Sequence, residues 1–185
     1  MELRLSGFGG QGIIRMGMIL GKAASIHDGR NATLTQSFGP EARGGACSAQ
    51  VIISEERILY PYLTCPDIVV AMSQEAYDKF ESETKPNGVL LIEEDLVHAH
   101  PPREDVRQYA IPATRIAEKL GNRMFANLVM LGFLVAITGI ASKKALDDSL
   151  PGMVPDRFLA KNLDAMNRGY EAGKEKLAAA VKPAS

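Results

Sequence analysis

The stretch Leu3-Arg4-Leu5-Ser6-Gly7-Phe8-Gly9-Gly10-Gln11-Gly12 decides the fold. Its first four residues alternate apolar and polar, as a half-buried strand does. A glycine-rich turn follows, and then an apolar-rich run from Ile13 to Ile26 that suits a helix. Strand, glycine turn and helix, in that order, offer backbone N–H groups and a helix N-terminus to an anion. The order predicts phosphate or nucleotide binding. The same glycines also admit a plainer reading, a tight turn that only lets helix and strand pack closely.

The spacing Gly7-x-Gly9-x-x-Gly12 matches the dinucleotide fingerprint. The fingerprint's second half is an acidic residue about 20 positions on, at the end of the second strand, where it holds a ribose hydroxyl. Here that strand, Ala32-Thr33-Leu34-Thr35-Gln36, ends in Gln36-Ser37, and Asp28 precedes it. The turn is therefore read as phosphate-binding and not as an NAD site. A second glycine-rich segment comes next, Ser37-Phe38-Gly39-Pro40-Glu41-Ala42-Arg43-Gly44-Gly45. Ligands of open α/β sheets bind beyond the carboxyl ends of the strands, so this loop is expected beside the first turn. Arg43 adds a cation suited to phosphate. Alternatively, Glu41 and Arg43 pair with a partner subunit and the loop shapes an interface. The candidate cofactor-binding residues are Gly7, Gly9, Gly10, Gln11 and Gly12 with Ser37, Phe38, Gly39, Pro40, Glu41, Ala42, Arg43, Gly44 and Gly45.

Further along, Cys47 to Ser54 is rich in β-formers, and Ile58-Leu59-Tyr60 is expected to pair with it as a hairpin through Glu55-Glu56. Asp67 to Met72 and Val89 to Ile92 are near-continuous apolar runs, the pattern of strands buried on both faces. Between them Ser73 is placed to cap a helix from Gln74 to Glu83. Gln108 to Pro112 is expected as an edge strand, and Thr114 through Leu120 as helix. From Asn122 onward the chain reads as helical, with a last helix opening at Pro155. The fold class is α/β, Rossmann-like, with a mainly parallel sheet, flanking helices and a helical C-terminal region. One domain is expected over residues 1–185, an α/β core over about 1–120 and a helical part over about 121–182.

Composition removes several function classes. The 21 basic and 22 acidic side chains leave a net charge of -1, which supplies no field for nucleic acid. Two cysteines, Cys47 and Cys65, cannot build a four-thiolate iron–sulfur site. His98 and His100 form a close pair without a clear further ligand, so no metal site is assigned. The apolar stretch Leu128 to Ala141 is shorter than the roughly 20 residues a spanning helix needs, and reads as a buried or partner-facing helix. The N-terminus lacks the apolar core of a signal peptide, so a cytoplasmic location is expected. No nucleophile–base pair stands out. Binding loops without a self-contained catalytic set suggest a subunit that contributes to a larger active site.

The two glycine segments, together with Pro66-Asp-Ile-Val-Val-Ala-Met-Ser-Gln-Glu-Ala-Tyr77 and Asn127-Leu-Val-Met-Leu-Gly132, resemble the γ subunit of 2-oxoacid:ferredoxin oxidoreductases over nearly the whole chain. The resemblance is nearest to the 2-oxoglutarate type; phenylglyoxylate, pyruvate, branched-chain and indolepyruvate versions share much of the motif. It implies a multi-subunit enzyme that converts a 2-oxoacid and coenzyme A to acyl-CoA and CO2. Thiamine diphosphate, Mg2+ and [4Fe-4S] clusters would lie on α, β and ferredoxin-like partner subunits, and ferredoxin would accept the electrons. The γ chain would supply a coenzyme A-binding face from Gly7–Gly12 and Ser37–Gly45, with no catalytic residue of its own. Single-chain relatives carry lysine-rich loops where this chain has Pro40-Glu41-Ala42-Arg43, which leaves Arg43 as the basic residue there.

Overall fold

The computed structural model describes residues 1–38, 46–101 and 103–181. Six strands form one sheet: β1 (Glu2–Phe8), β2 (Asn31–Phe38), β3 (Ala46–Ser54), β4 (Ile68–Ala71), β5 (Val89–Glu93) and β6 (Arg107–Ile111). Six α-helices accompany them: α1 (Ile13–Lys22), α2 (Gln74–Phe80), α3 (Ala113–Lys119), α4 (Ala126–Thr138), α5 (Lys143–Ser149) and α6 (Asp156–Val181). The strand order is β2-β3-β1-β4-β5-β6. The pairs β1–β4, β4–β5 and β5–β6 are parallel, whereas β3 lies antiparallel between β1 and β2. The sheet is thus mixed and mostly parallel, and the expected α/β class is present.

The hairpin between β3 and Ile58-Leu59-Tyr60 does not form; those residues are irregular. The reason lies in the pairing of β3. Val51 faces Leu3 of β1 on one side and Leu34 of β2 on the other. A strand has two hydrogen-bonding edges, and both edges of β3 are occupied.

Alternation along the strands builds two cores. Leu3, Leu5, Val51, Ile68, Val70 and Leu91 face α1 and α4, while Val69, Ala71, Leu90 and Ile92 meet Tyr77 and Phe80 of α2. Eleven of the thirteen residues of α4 are buried, so the apolar stretch after Leu128 belongs to the core of this chain. A helix apolar on every side needs cover on every side. The longest helix, α6, supplies much of it by crossing α4 at backbone contact. A Cβ added at Gly132 would overlap the Met166 carbonyl, and one at Gly169 would overlap the Val129 carbonyl.

Gly169→Ala therefore has to push α6 off α4. The expected loss is about 2–3 kcal/mol, the usual cost of overpacking, read as a lowered urea midpoint. An unchanged midpoint would mean that the two helices are not in backbone contact.

Candidate functional site

The turn after β1 is braced by two amide side chains, Gln11 from within and Asn127 from α4. Gln11 accepts a hydrogen bond at Oε1 from the Phe8 N–H (2.7 Å) and donates from Nε2 to the Met72 carbonyl (2.9 Å). It ties the turn to itself and to the carboxyl end of β4. Gly7 makes room for this, since a Cβ there would strike Gln11 Oε1 and crowd Ile13 and Met72. Gly10 and Gly12 have φ of 95° and 78°, in the left-handed region that favours glycine. Gly12 is also covered: a Cβ would run into the side-chain amide of Asn127, whose Nδ2 donates to the Gly12 carbonyl at 3.4 Å.

Gly12 is the N-cap of α1, and no side chain caps that helix. The first intrahelical bond runs from the Met16 N–H to the Gly12 carbonyl. The N–H groups of Ile13, Ile14 and Arg15 therefore have no acceptor within the helix. The first turn holds no acidic residue and carries Arg15 instead. A cation at the positive end of a helix dipole is locally unfavourable, and an anion bound there resolves the conflict. The turn opens onto a cleft of about 330 Å³ lined by Phe8, Gly9, Gly10, Gln11, Gly12, Arg15, Cys47, Met124 and Asn127.

The structure therefore brings Gly9, Gly10, Gln11 and Gly12 together as cleft wall and places Gly7 beneath them. Ser37 and Phe38 end β2, where Ser37 pairs with Ser48 and Phe38 with Cys47. Cys47 in turn pairs with Gly7, and Ala46 with Phe8. Both ends of the second glycine segment thus meet the sheet edge where the first turn emerges. Gly39, Pro40, Glu41, Ala42, Arg43, Gly44 and Gly45 lie outside the described residues.

Arg15, Cys47, Met124 and Asn127 were not among the sequence candidates. Arg15 had a readable signal, a basic residue in the first turn of a helix after a glycine turn. Asn127 opens one of the segments that carry the resemblance, but nothing local places it at the turn, which it reaches across 115 residues of sequence. Cys47 is buried, and burial pushes its thiol up, so at neutral pH it is a protonated wall residue and no nucleophile. Among the described residues no three side chains cluster as metal ligands, and no helix is long and apolar enough to cross a membrane. The His98–His100 segment is exposed and tied to α2: the His98 N–H donates to Gln74 Oε1, the His100 N–H donates to the Tyr77 hydroxyl, and the His100 ring lies tilted at 5.7 Å from that of Tyr77.

With this geometry in place, comparison with known proteins identifies the chain. Residues 2–172 match the pyruvate ferredoxin/flavodoxin oxidoreductase family. The chain belongs to that family. It is 50% identical to the 2-oxoglutarate synthase subunit KorC of Methanocaldococcus jannaschii, over 94% of each chain. Its structure is similar to the gamma subunit of a keto/oxoacid ferredoxin oxidoreductase from Geobacter sulfurreducens, with TM-score 0.83 and 41% identity over 93% of this chain and 97% of that one. It is also similar to 2-oxoglutarate:ferredoxin oxidoreductase from Magnetococcus marinus, solved with 2-oxoglutarate, coenzyme A and succinyl-CoA bound (TM-score 0.83, 28% identity). That match spans all of this chain and 32% of the longer one. The protein is a gamma-type subunit of an oxoacid oxidoreductase complex.

On the same sheet edge, at the end of β5, Glu93 is wholly buried. One carboxylate oxygen accepts from the Thr114 N–H of α3 (2.8 Å), and the other has no partner. Burial pushes its pKa above the usual carboxylate range. The folded state then binds a proton more tightly than the unfolded chain, so Glu93 lowers stability as pH rises from the ordinary carboxylate pKa through its folded one. Glu93→Gln keeps an acceptor for Thr114 and removes the ionisation. It is expected to flatten the fall in melting temperature with rising pH, gaining most above the folded pKa. Parallel curves for the two proteins would refute a raised pKa.

Proposed function

We propose that this chain carries a coenzyme A-binding face of a 2-oxoglutarate:ferredoxin oxidoreductase, which converts 2-oxoglutarate and coenzyme A to succinyl-CoA and CO2 and passes electrons to ferredoxin. The observation that carries the reading is the uncapped N-terminus of α1, with Arg15 in its first turn, opening onto a 330 Å³ cleft. Coenzyme A has a diphosphate to fill such a site and needs no ribose-binding acid at Gln36. The 2-oxoglutarate assignment is supported by the name of the 50%-identical relative, and the coenzyme A assignment by the ligands of the Magnetococcus enzyme.

In this reading the N–H groups of Ile13, Ile14 and Arg15 donate to diphosphate oxygens, and Arg15 supplies the opposing charge. Gly9, Gly10 and Gly12 let the ligand approach the backbone, and Gln11 keeps the turn rigid before the ligand arrives. Ser37 and Phe38 end β2 beside the same turn, and Arg43, in the segment that follows them in sequence, is taken as a second cation for the ligand. Thiamine diphosphate with Mg2+ supplies the decarboxylation chemistry, and [4Fe-4S] clusters carry the electrons, all on α, β and ferredoxin-like subunits. Cys47 and Cys65 are too few to ligate a cluster here.

Contacts to the far end of a substrate, made equally in ground and transition states, raise KM when lost and leave kcat alone. Arg15→Ala and Arg43→Ala, each tested in the assembled holoenzyme, are expected to raise the KM for coenzyme A about tenfold or more, the worth of one charge-assisted hydrogen bond. The KM for 2-oxoglutarate and the kcat should stay unchanged. An unaltered coenzyme A KM in an intact complex would overturn the proposal. So would activity losses that only follow lost assembly, which would make the loops braces between subunits. In a panel of oxoacids, 2-oxoglutarate should give the highest kcat/KM.

A further inference from the structure

Between β3 and β4 the chain forms an irregular segment that combines a fixed base with an apolar tip. Its base is tied to the sheet. Gln50 Oε1 of β3 accepts from the Leu63 N–H (3.2 Å), and Glu2 Oε2 of β1 accepts from the N–H groups of Thr64 (2.7 Å) and Cys65 (2.9 Å). Its tip is turned to solvent: Leu59 is 86% exposed, Tyr60 64% and Tyr62 54%. The two tyrosine rings lie edge to face, with centroids 5.5 Å apart.

Of the other exposed large apolar residues, Met124 and Phe158 share the wall of a cleft with Arg15, while Met18, Ile26 and Leu96 are separated along the chain. Isolated apolar side chains on a surface are ordinary. Three within four residues, with Glu55, Glu56 and Arg57 exposed beside them as a polar rim, have the make-up of an interface core. Tyrosine pairs held by an anchored loop bring large contact area at small entropic cost.

The occupant is indicated by the Magnetococcus enzyme, in which this whole chain corresponds to 32% of one polypeptide. There the domain is covalently joined to the rest. The chain here instead matches 94% of a relative named as a subunit in its own right. Where this unit is a separate subunit, as the KorC relative is by its name, the high effective concentration of an attached domain is absent and contact surface has to replace it. We infer that the tip Leu59-Tyr60-Pro61-Tyr62 is the surface on which this subunit docks to the enzyme subunit that corresponds to the remainder of that longer chain. The matching site on the partner is an apolar groove with hydrogen-bonding groups at its rim for the tyrosine hydroxyls.

The test is co-expression with the other subunits of the complex, with the tag on this chain and the co-purified partner quantified. Leu59→Glu and Tyr62→Ala should each lower partner recovery, the former about tenfold or more because a charge is buried in an apolar contact. The melting temperature of the chain itself should not move. Ile26→Glu, also at an exposed apolar residue (69%) but outside Leu59–Tyr62, should leave recovery intact. Whatever complex survives Leu59→Glu should keep its KM for coenzyme A, which separates docking from ligand binding. Unchanged recovery, equal loss in Ile26→Glu, or a matching fall in the chain's own melting temperature would overturn the proposal. So would a Leu59→Glu effect confined to self-association of this chain, which would make a second copy the occupant.

Discussion

The fold depends on the burial of α4. A thirteen-residue helix with eleven buried positions has no solvent face to offer, so it is stable only where other elements enclose it. The sheet and α1 cover one side, and α6 covers another at backbone distance through Gly132 and Gly169. The C-terminal helices are therefore part of the same core as the strands. Leu3 of the first strand and Met166 of the last helix fall in one contiguous apolar cluster.

The functional edge inherits its rigidity from that arrangement. Asn127, in the first turn of α4, is buried and sets its amide against Gly12, while Gln11 fastens the turn to Met72. The glycines give the turn its left-handed conformations, and the two amide side chains fix which one it keeps. A binding loop held this way loses little entropy when a ligand arrives. The N-terminus of α1 can then remain uncapped by side chains, since its orientation is set from outside the helix. In the proposed reading the groups that meet the anion are backbone N–H groups, so the site asks for few charged side chains around the cleft.

What was legible in the sequence were features with local causes. The turn at Gly7–Gly12 showed through its glycines, the buried strands β4 and β5 through unbroken apolar runs, and the α2 cap through Ser73, whose Oγ accepts from the Ala76 N–H. What escaped were features set by distant partners. The insertion of β3 between β1 and β2 is decided by which edges find each other, and no residue within Ala46–Ser54 encodes it. Ile58-Leu59-Tyr60 looks like a strand because Ile, Leu and Tyr suit one, yet both edges of β3, the neighbour it would pair with, are already taken. The same β-forming residues, denied a sheet, stand exposed. Within the site, Gly9 to Gly12 were visible from spacing, whereas Met124, in the turn before α4, and Asn127, in the first turn of α4, reach the cleft through long-range packing that no local spacing shows.

The account rests on the N–H groups at the start of α1 binding the diphosphate of coenzyme A. Hydrogen exchange of the assembled complex, with fragmentation to single-amide resolution and with or without coenzyme A, tests this most directly. The amides of Ile13, Ile14 and Arg15 lack helical acceptors, so they should exchange fast in the free complex and slow down when coenzyme A is added. Protection elsewhere in the complex, with these three amides unchanged, would contradict it.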